Sequence, residues 1–157
     1  MKILSIDPGY ERLGIAVLEK IGKNREVLLF SECFKTSAKL AHHERLALIG
    51  NEIKKVVKKY KPEVLATEKL FFSGNQKTAM LVAEARGVIL YTASSLGLGI
   101  FEYSPAHIKI AITGYGRSDK KQMAFMTHKL IETGKKIESD DELDAIAIGL
   151  TFFAVHR

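Results

Sequence analysis

Two short apolar runs, some sixty residues apart, each end on a carboxylate. Ile3, Leu4 and Ile6 lead into Asp7-Pro8-Gly9, and Val64-Leu65-Ala66-Thr67 runs directly into Glu68. A β-branched-rich run halted by turn chemistry reads as a strand, and one with few polar positions reads as a strand covered on both faces. Open α/β sheets place their ligand crevice at the C-terminal ends of their strands, so Asp7 and Glu68 are expected to meet there.

The rest of the pattern supplies the covering layers. Leu13 to Glu19 and Glu26 to Phe34 are two further apolar-rich runs, and Gly22-Lys23-Asn24 between them predicts an antiparallel hairpin continuing from the first strand. From Lys39 to Tyr60 apolar residues recur at three and four, which predicts an amphipathic helix closed by Pro62. Its exposed face carries Lys54, Lys55, Lys58 and Lys59, read as a solvated surface. After Glu68 the order is a loop through Phe71-Phe72-Ser73-Gly74-Asn75, a helix from about Lys77 to Leu96, a strand over Gly99 to Tyr103 and a short helix from Pro105 to Ile112. Beyond Gly114-Tyr115-Gly116, a helix is expected from Ser118 to about Glu132. A last apolar helix follows Ser139, with Ser139 and Glu142 spaced as a capping box. This order predicts an α/β protein with a mixed five-stranded sheet flanked by helices on both faces.

At 157 residues the chain matches one domain of the usual roughly 100 to 200 residues, so residues 1–157 are expected to form a single unit. The 46% hydrophobic and 27% charged content sets aside disorder and a disulfide-stapled scaffold. The one cysteine, Cys33, reads as a small apolar side chain in a reducing compartment, which fits the cytoplasm. Asp7 comes too early for a signal peptide, and the longest weakly polar stretch, Ala145 to Val155, is well short of the roughly 20 residues of a membrane span. A net charge of +6 favours a polyanionic partner.

The carboxylates narrow the chemistry. Asp140, Asp141 and Asp144 begin the last helix, and the i, i+3 pair lies about 60° apart on one face, which can look at the sheet edge. Acids in a first helical turn are also the ordinary complement of the helix dipole. As a set with Asp7 and Glu68, however, they would raise one another's pKa unless a cation neutralised them. All-oxygen ligands without a Cys or His cluster point to Mg²⁺ or Mn²⁺, and two such ions suit in-line phosphodiester displacement. A basic chain with such a centre reads as a nuclease. Phosphate binding at Asp-Pro-Gly in the manner of actin-like ATPases is the competing chemistry, but no second Asp-x-Gly loop follows.

Several motifs together resemble the bacterial RuvC Holliday junction resolvases over nearly the whole chain. They are Ile-Asp-Pro-Gly at 6–9, Glu68 with Phe71, Ala85-Arg86-Gly87, Phe101-Glu102-Tyr103-Ser104-Pro105, Thr113-Gly114-Tyr115-Gly116-Arg117-Ser118-Asp119-Lys120, and Asp141-Glu142-Leu143-Asp144-Ala145. The resemblance implies an RNase H-like fold and a homodimer that nicks opposing strands of a four-way DNA junction with Mg²⁺ or Mn²⁺, two ions per site. It further implies the branch-migration proteins RuvA and RuvB as partners. The metal-binding acids then fall on Asp7, Glu68, Asp141 and Asp144. Periodicity alone equally allows Asp140 with Asp144, and only the family pattern prefers Asp141. DNA-contacting positions fall on Lys109 and Lys120, with neighbouring Lys121 and Arg117 in the same exposed basic segment, and the base-stacking aromatic on Phe71, for which Phe72 is the alternative.

Two features depart from the family pattern. The segment from Thr133 to Asp140 lacks the proline common in relatives, which leaves the entry angle of the last helix open, and no partner-binding tail is expected beyond Arg157. A DNA-binding module without catalysis would not need the four acids, and a nuclease for RNA:DNA hybrids or a transposase-type enzyme would differ in substrate preference. The helix from Lys77 to Leu96 carries enough apolar surface to serve as a dimer face or as core.

Overall fold

The computed structural model describes residues 1–22, 25–70 and 76–156. Five strands, β1 (Lys2–Asp7), β2 (Arg12–Ile21), β3 (Arg25–Lys35), β4 (Val64–Glu68) and β5 (Gly99–Tyr103), form one sheet in the order β3-β2-β1-β4-β5. β1, β2 and β3 are antiparallel neighbours, while β4 runs parallel to both β1 and β5. The mixed five-stranded sheet read from the sequence is therefore present, with β2 and β3 extending one or two residues beyond each predicted end.

Two helical layers cover it, and strand parity decides which side chain faces which layer. Leu4, Ile6, Ile15, Val17 and Leu65 pack under α1 (His42–Tyr60) and α2 (Gln76–Ser95), against Ile49, Ile53, Ala85 and Ile89. Ile3, Ala16, Leu18, Val64 and Ala66 face α3 (Pro105–Thr113), α4 (Lys120–Leu130) and α5 (Asp140–Val155). α5 is buried continuously from Ala145 to Phe153, which explains its apolar character on every side. Arg86, from the Ala-Arg-Gly motif, forms an ion pair with Glu102 and ties α2 to β5.

Two helix starts and one capping box differ from the sequence reading. α1 begins at His42 rather than Lys39, where the Glu44 carboxylate accepts the Ala41 N–H at 2.8 Å. α4 begins at Lys120 because Asp119, not Ser118, is its cap: Asp119 accepts from the Gln122 N–H at 2.8 Å and Gln122 reciprocates at 3.0 Å. Ser118 is buried instead and donates to the Tyr115 carbonyl at 2.7 Å. The capping box read at Ser139 and Glu142 does not form. Glu142 is drawn away to Lys135, whose Nζ lies 2.6 Å from Glu142 Oε1 and donates to the Ser31 carbonyl at 2.7 Å. That clamp sets the entry of α5 in place of a proline.

α5 rests against the sheet at two glycines. A Cβ on Gly14 would lie 1.8 Å from the Asp141 carbonyl oxygen, and one on Gly149 would lie 2.6 Å from Leu18 and 2.8 Å from Ser5 Oγ. Neither position has room for a side chain. Gly14→Ala is expected to cost about 3 kcal/mol, since the obstacle is helix backbone rather than a movable side chain, and urea denaturation measures it. An unchanged midpoint would contradict the close approach.

Candidate active site

The acids reach one place because their parities agree. Asp7 stands on the same face of β1 as Ile3, and Glu68 on the same face of β4 as Val64 and Ala66, both beneath α5. Register makes them neighbours, one residue past the parallel pair Ile6 and Thr67. Across the sheet Asp7 pairs with Gly14 and Gly14 with Cys33, so a single row runs from the acid to the first turn of α5.

Burial and mutual repulsion define the electrostatics. Asp7 is raised well above the usual carboxylate range, first by burial and then by the charges of Asp144, Glu68 and Asp141, while Lys120 opposes the rise. Glu68 is raised by burial and by Asp144, against Lys109. Asp144 is raised by burial and by Asp140 and Asp141, against Lys120. These couplings bring Asp7, Glu68 and Asp144 together as one cluster of excess negative charge.

Asp141 adds its charge to that felt by Asp7 and Asp144, but it is itself paired with a cation. Its Oδ2 lies 2.7 Å from Arg12 Nη2, accepts from Ser139 Oγ at 3.2 Å and from the Cys33 thiol at 3.7 Å. Asp140 is turned outward, 76% exposed at its side chain, toward Lys120 at 3.5 Å. Among the described residues no three acidic, imidazole or thiol groups are drawn together tightly enough to hold a metal ion as they stand. The donor set nonetheless fits a hard divalent cation: the acids are all-oxygen ligands, and the raised pKa values report a charge excess that such an ion would offset.

Two clefts adjoin at Glu68 and Pro105. One also takes in Asp7, Pro8 and Lys69, the other Lys109, Lys120 and Asp144. Lys109 and Lys120 are thus beside the acids, as their effect on Glu68, Asp7 and Asp144 also indicates. Lys121 and Arg117 are exposed, and neither lines these clefts. Phe71 and Phe72 lie outside the described residues.

Arg12, Ser139, Cys33 and Lys135 were missed as contributors. Parity held a signal for Arg12, which sits two residues before Gly14 and so on the same face of β2. Cys33, read as a small apolar side chain, is half-buried and engaged with Asp141. The contact between Lys135 and β3 spans 104 residues and leaves no local trace.

The sheet order, with acids closing its two central parallel strands and a third acid on the helix that crosses them, defines an RNase H-like domain. The family model described as crossover junction endodeoxyribonuclease RuvC matches residues 3–152. The chain belongs to this RuvC family. It is 44% identical over 148 residues to the crossover junction endodeoxyribonuclease RuvC of Thermosipho melanesiensis, covering 94% of each chain, and 40% identical over 150 residues to that of Halothermothrix orenii, covering 96% of this chain and 90% of the relative. The Thermus thermophilus RuvC solved in complex with Holliday junction substrate superposes with a TM-score of 0.92 at 30% identity, over 100% of this chain and 95% of that one. The yeast mitochondrial Holliday junction resolvase Ydc2, at 13% identity and a TM-score of 0.72 over 97% of this chain and 77% of that one, shares the fold.

The raised acids fix the sign of a pH effect. Asp7, Glu68 and Asp144 titrate higher folded than unfolded, so the folded state holds more protons. The stability this confers is full below the unfolded values and is lost as pH rises through the folded ones. In chelator, Asp7→Asn is therefore expected to melt a few degrees above the parent near neutral pH, with the gap closing toward about pH 4. Thermal melts across that range check it; a gap that widens on acidification contradicts the assignment.

Proposed function

We propose that this chain is a structure-specific endonuclease that resolves four-way DNA junctions by metal-dependent, symmetrical nicking in recombination and repair. Family membership supports the substrate. The observation that carries the chemistry is the cluster of Asp7, Glu68 and Asp144, buried, mutually repelling and flanked by Lys109 and Lys120. Asp7, central to the cluster, together with Glu68, Asp144 and Asp141 would hold two Mg²⁺ or Mn²⁺ ions. Bound there, the ions would supply an activated water and charge neutralisation at the scissile phosphate, leaving a 3′-hydroxyl and a 5′-phosphate. Lys109 and Lys120 would hold backbone phosphates as point charges, with Lys121 and Arg117 extending the basic surface. Phe71 is proposed to stack on an unpaired base beside the scissile step.

Paired nicks need two sites about a two-fold axis, so the working form is proposed to be a homodimer. Met80 and Tyr91, 64% and 75% exposed, stand eleven residues apart on α2 and so on nearly the same face, which supports that helix as the contact. RuvA and RuvB are proposed as the partners that hand over the junction. None of the described helices is long and apolar enough to cross a membrane, and the cytoplasm is the proposed location.

A synthetic four-way junction, linear duplex and RNA:DNA hybrid, each incubated with Mg²⁺ or Mn²⁺, test the reading. The junction should be nicked in preference, and Asp7→Asn should lose at least about 1,000-fold in rate, roughly 4 kcal/mol of barrier, while still binding the junction in chelator. Nicking retained by that variant rejects the acid assignment, and preference for the hybrid rejects the substrate. Lys120→Ala should weaken junction binding and flatten the slope of log affinity against log salt by about 0.9, the contribution of one phosphate contact.

A further inference from the structure

We propose that Arg12 is a built-in placeholder cation: it occupies Asp141 Oδ2 until a divalent ion is bound, so that giving the metal the full charge and both oxygens of Asp141 requires the guanidinium to let go. The inference rests on Asp141 being one of the metal-binding acids, as proposed above. A carboxylate oxygen has about two lone-pair sites. Asp141 Oδ2 already meets Arg12 Nη2 at 2.7 Å, Ser139 Oγ at 3.2 Å and Cys33 Sγ at 3.7 Å, which fills that oxygen and leaves a metal only Oδ1, on a carboxylate whose charge the guanidinium already offsets. Arg12 is secured by a second bond, its Nη2 donating to Ser139 Oγ at 3.0 Å, so arginine, serine and aspartate close a small ring.

Geometry gives the latch both a reason and a way to open. Asp141 belongs to the first turn of α5, whose backbone presses on Gly14, so the whole turn cannot retreat toward the sheet. What can move is the Arg12 side chain, half exposed at the start of β2. Once released, it stands at the rim of the acid cluster as a planar donor fork suited to a phosphate. A junction phosphate that drew Arg12 away would thereby free Asp141, coupling cation loading to DNA arrival.

Mn²⁺ alone is the probe. Titrating DNA-free protein with Mn²⁺ and counting the free ion by electron paramagnetic resonance gives affinity without any cleavage. Arg12→Gln should tighten Mn²⁺ binding about three- to tenfold, the scale of one exposed charge-assisted pair. Asp141→Asn should weaken it, and in the Asp141→Asn background Arg12→Gln should have no effect. Tightening that persists without Asp141 would come from lowering the protein's positive charge in general and overturns the latch. So does Arg12→Gln binding equal to or weaker than the parent while Asp141→Asn still weakens, a result that leaves the metal site standing. Parental binding by Asp141→Asn overturns the latch together with the ligand assignment beneath it.

Discussion

Everything at the catalytic end depends on how closely α5 lies on the sheet. Two glycines, Gly14 under the Asp141 carbonyl and Gly149 against Ser5 and Leu18, remove the side chains that would hold the helix off. Burial of the helix from Ala145 to Phe153 then drives it down. Because the contact is made at the level of Asp7, the acids at the start of α5 are delivered to the strand ends. A helix held one side-chain layer higher would carry the same residues and bring none of them within electrostatic reach of Asp7.

The resulting cluster is held together against its own repulsion. Asp7, Glu68 and Asp144 are kept near one another by strand register and helix packing, not by attraction, and burial makes their charges harder to sustain. The protein answers with cations on three sides: Lys109 from α3, Lys120 from α4 and Arg12 from β2. None is buried with its carboxylate, so none neutralises the cluster fully. What remains is a site whose folded state is expensive without a bound ion and is relieved by one.

Architecture was legible in the sequence wherever a local pattern had one physical cause. The acid-terminated runs of β1 and β4, the hairpin of β2 and β3 and the three-and-four spacing of α1 each follow from alternation or helical period, and each is present. The start of α4 was less legible because two candidate caps stood side by side and Asp119 outcompeted Ser118 for the Gln122 amide; Ser139 does stand at the N-cap of α5, but its hydroxyl is diverted to Asp141. The convergence of Asp7 with Glu68 could be read from strand ends, and that of Asp144 from helical spacing. Asp140 and Asp141 could not be told apart by period, since both lie in the same turn; in the structure Asp140 is turned outward toward Lys120 while Asp141 meets Arg12. The partners of Arg12, and the Ser31 carbonyl that Lys135 reaches, were hidden for another reason: each lies more than a hundred residues away.

The lysine clamp ahead of α5 has a consequence for how this chain can vary. A proline linker stiffens every bond it touches, so its geometry is distributed along the segment. Here direction is imposed from a single ammonium that grips a buried carboxylate and a strand carbonyl at once. The backbone between Thr133 and Ser139 is therefore a tether and not a strut. Outside Gly134, which holds a φ of 64°, and Ile137, which packs against the core, its composition is free to drift, provided one positive tip still spans the gap.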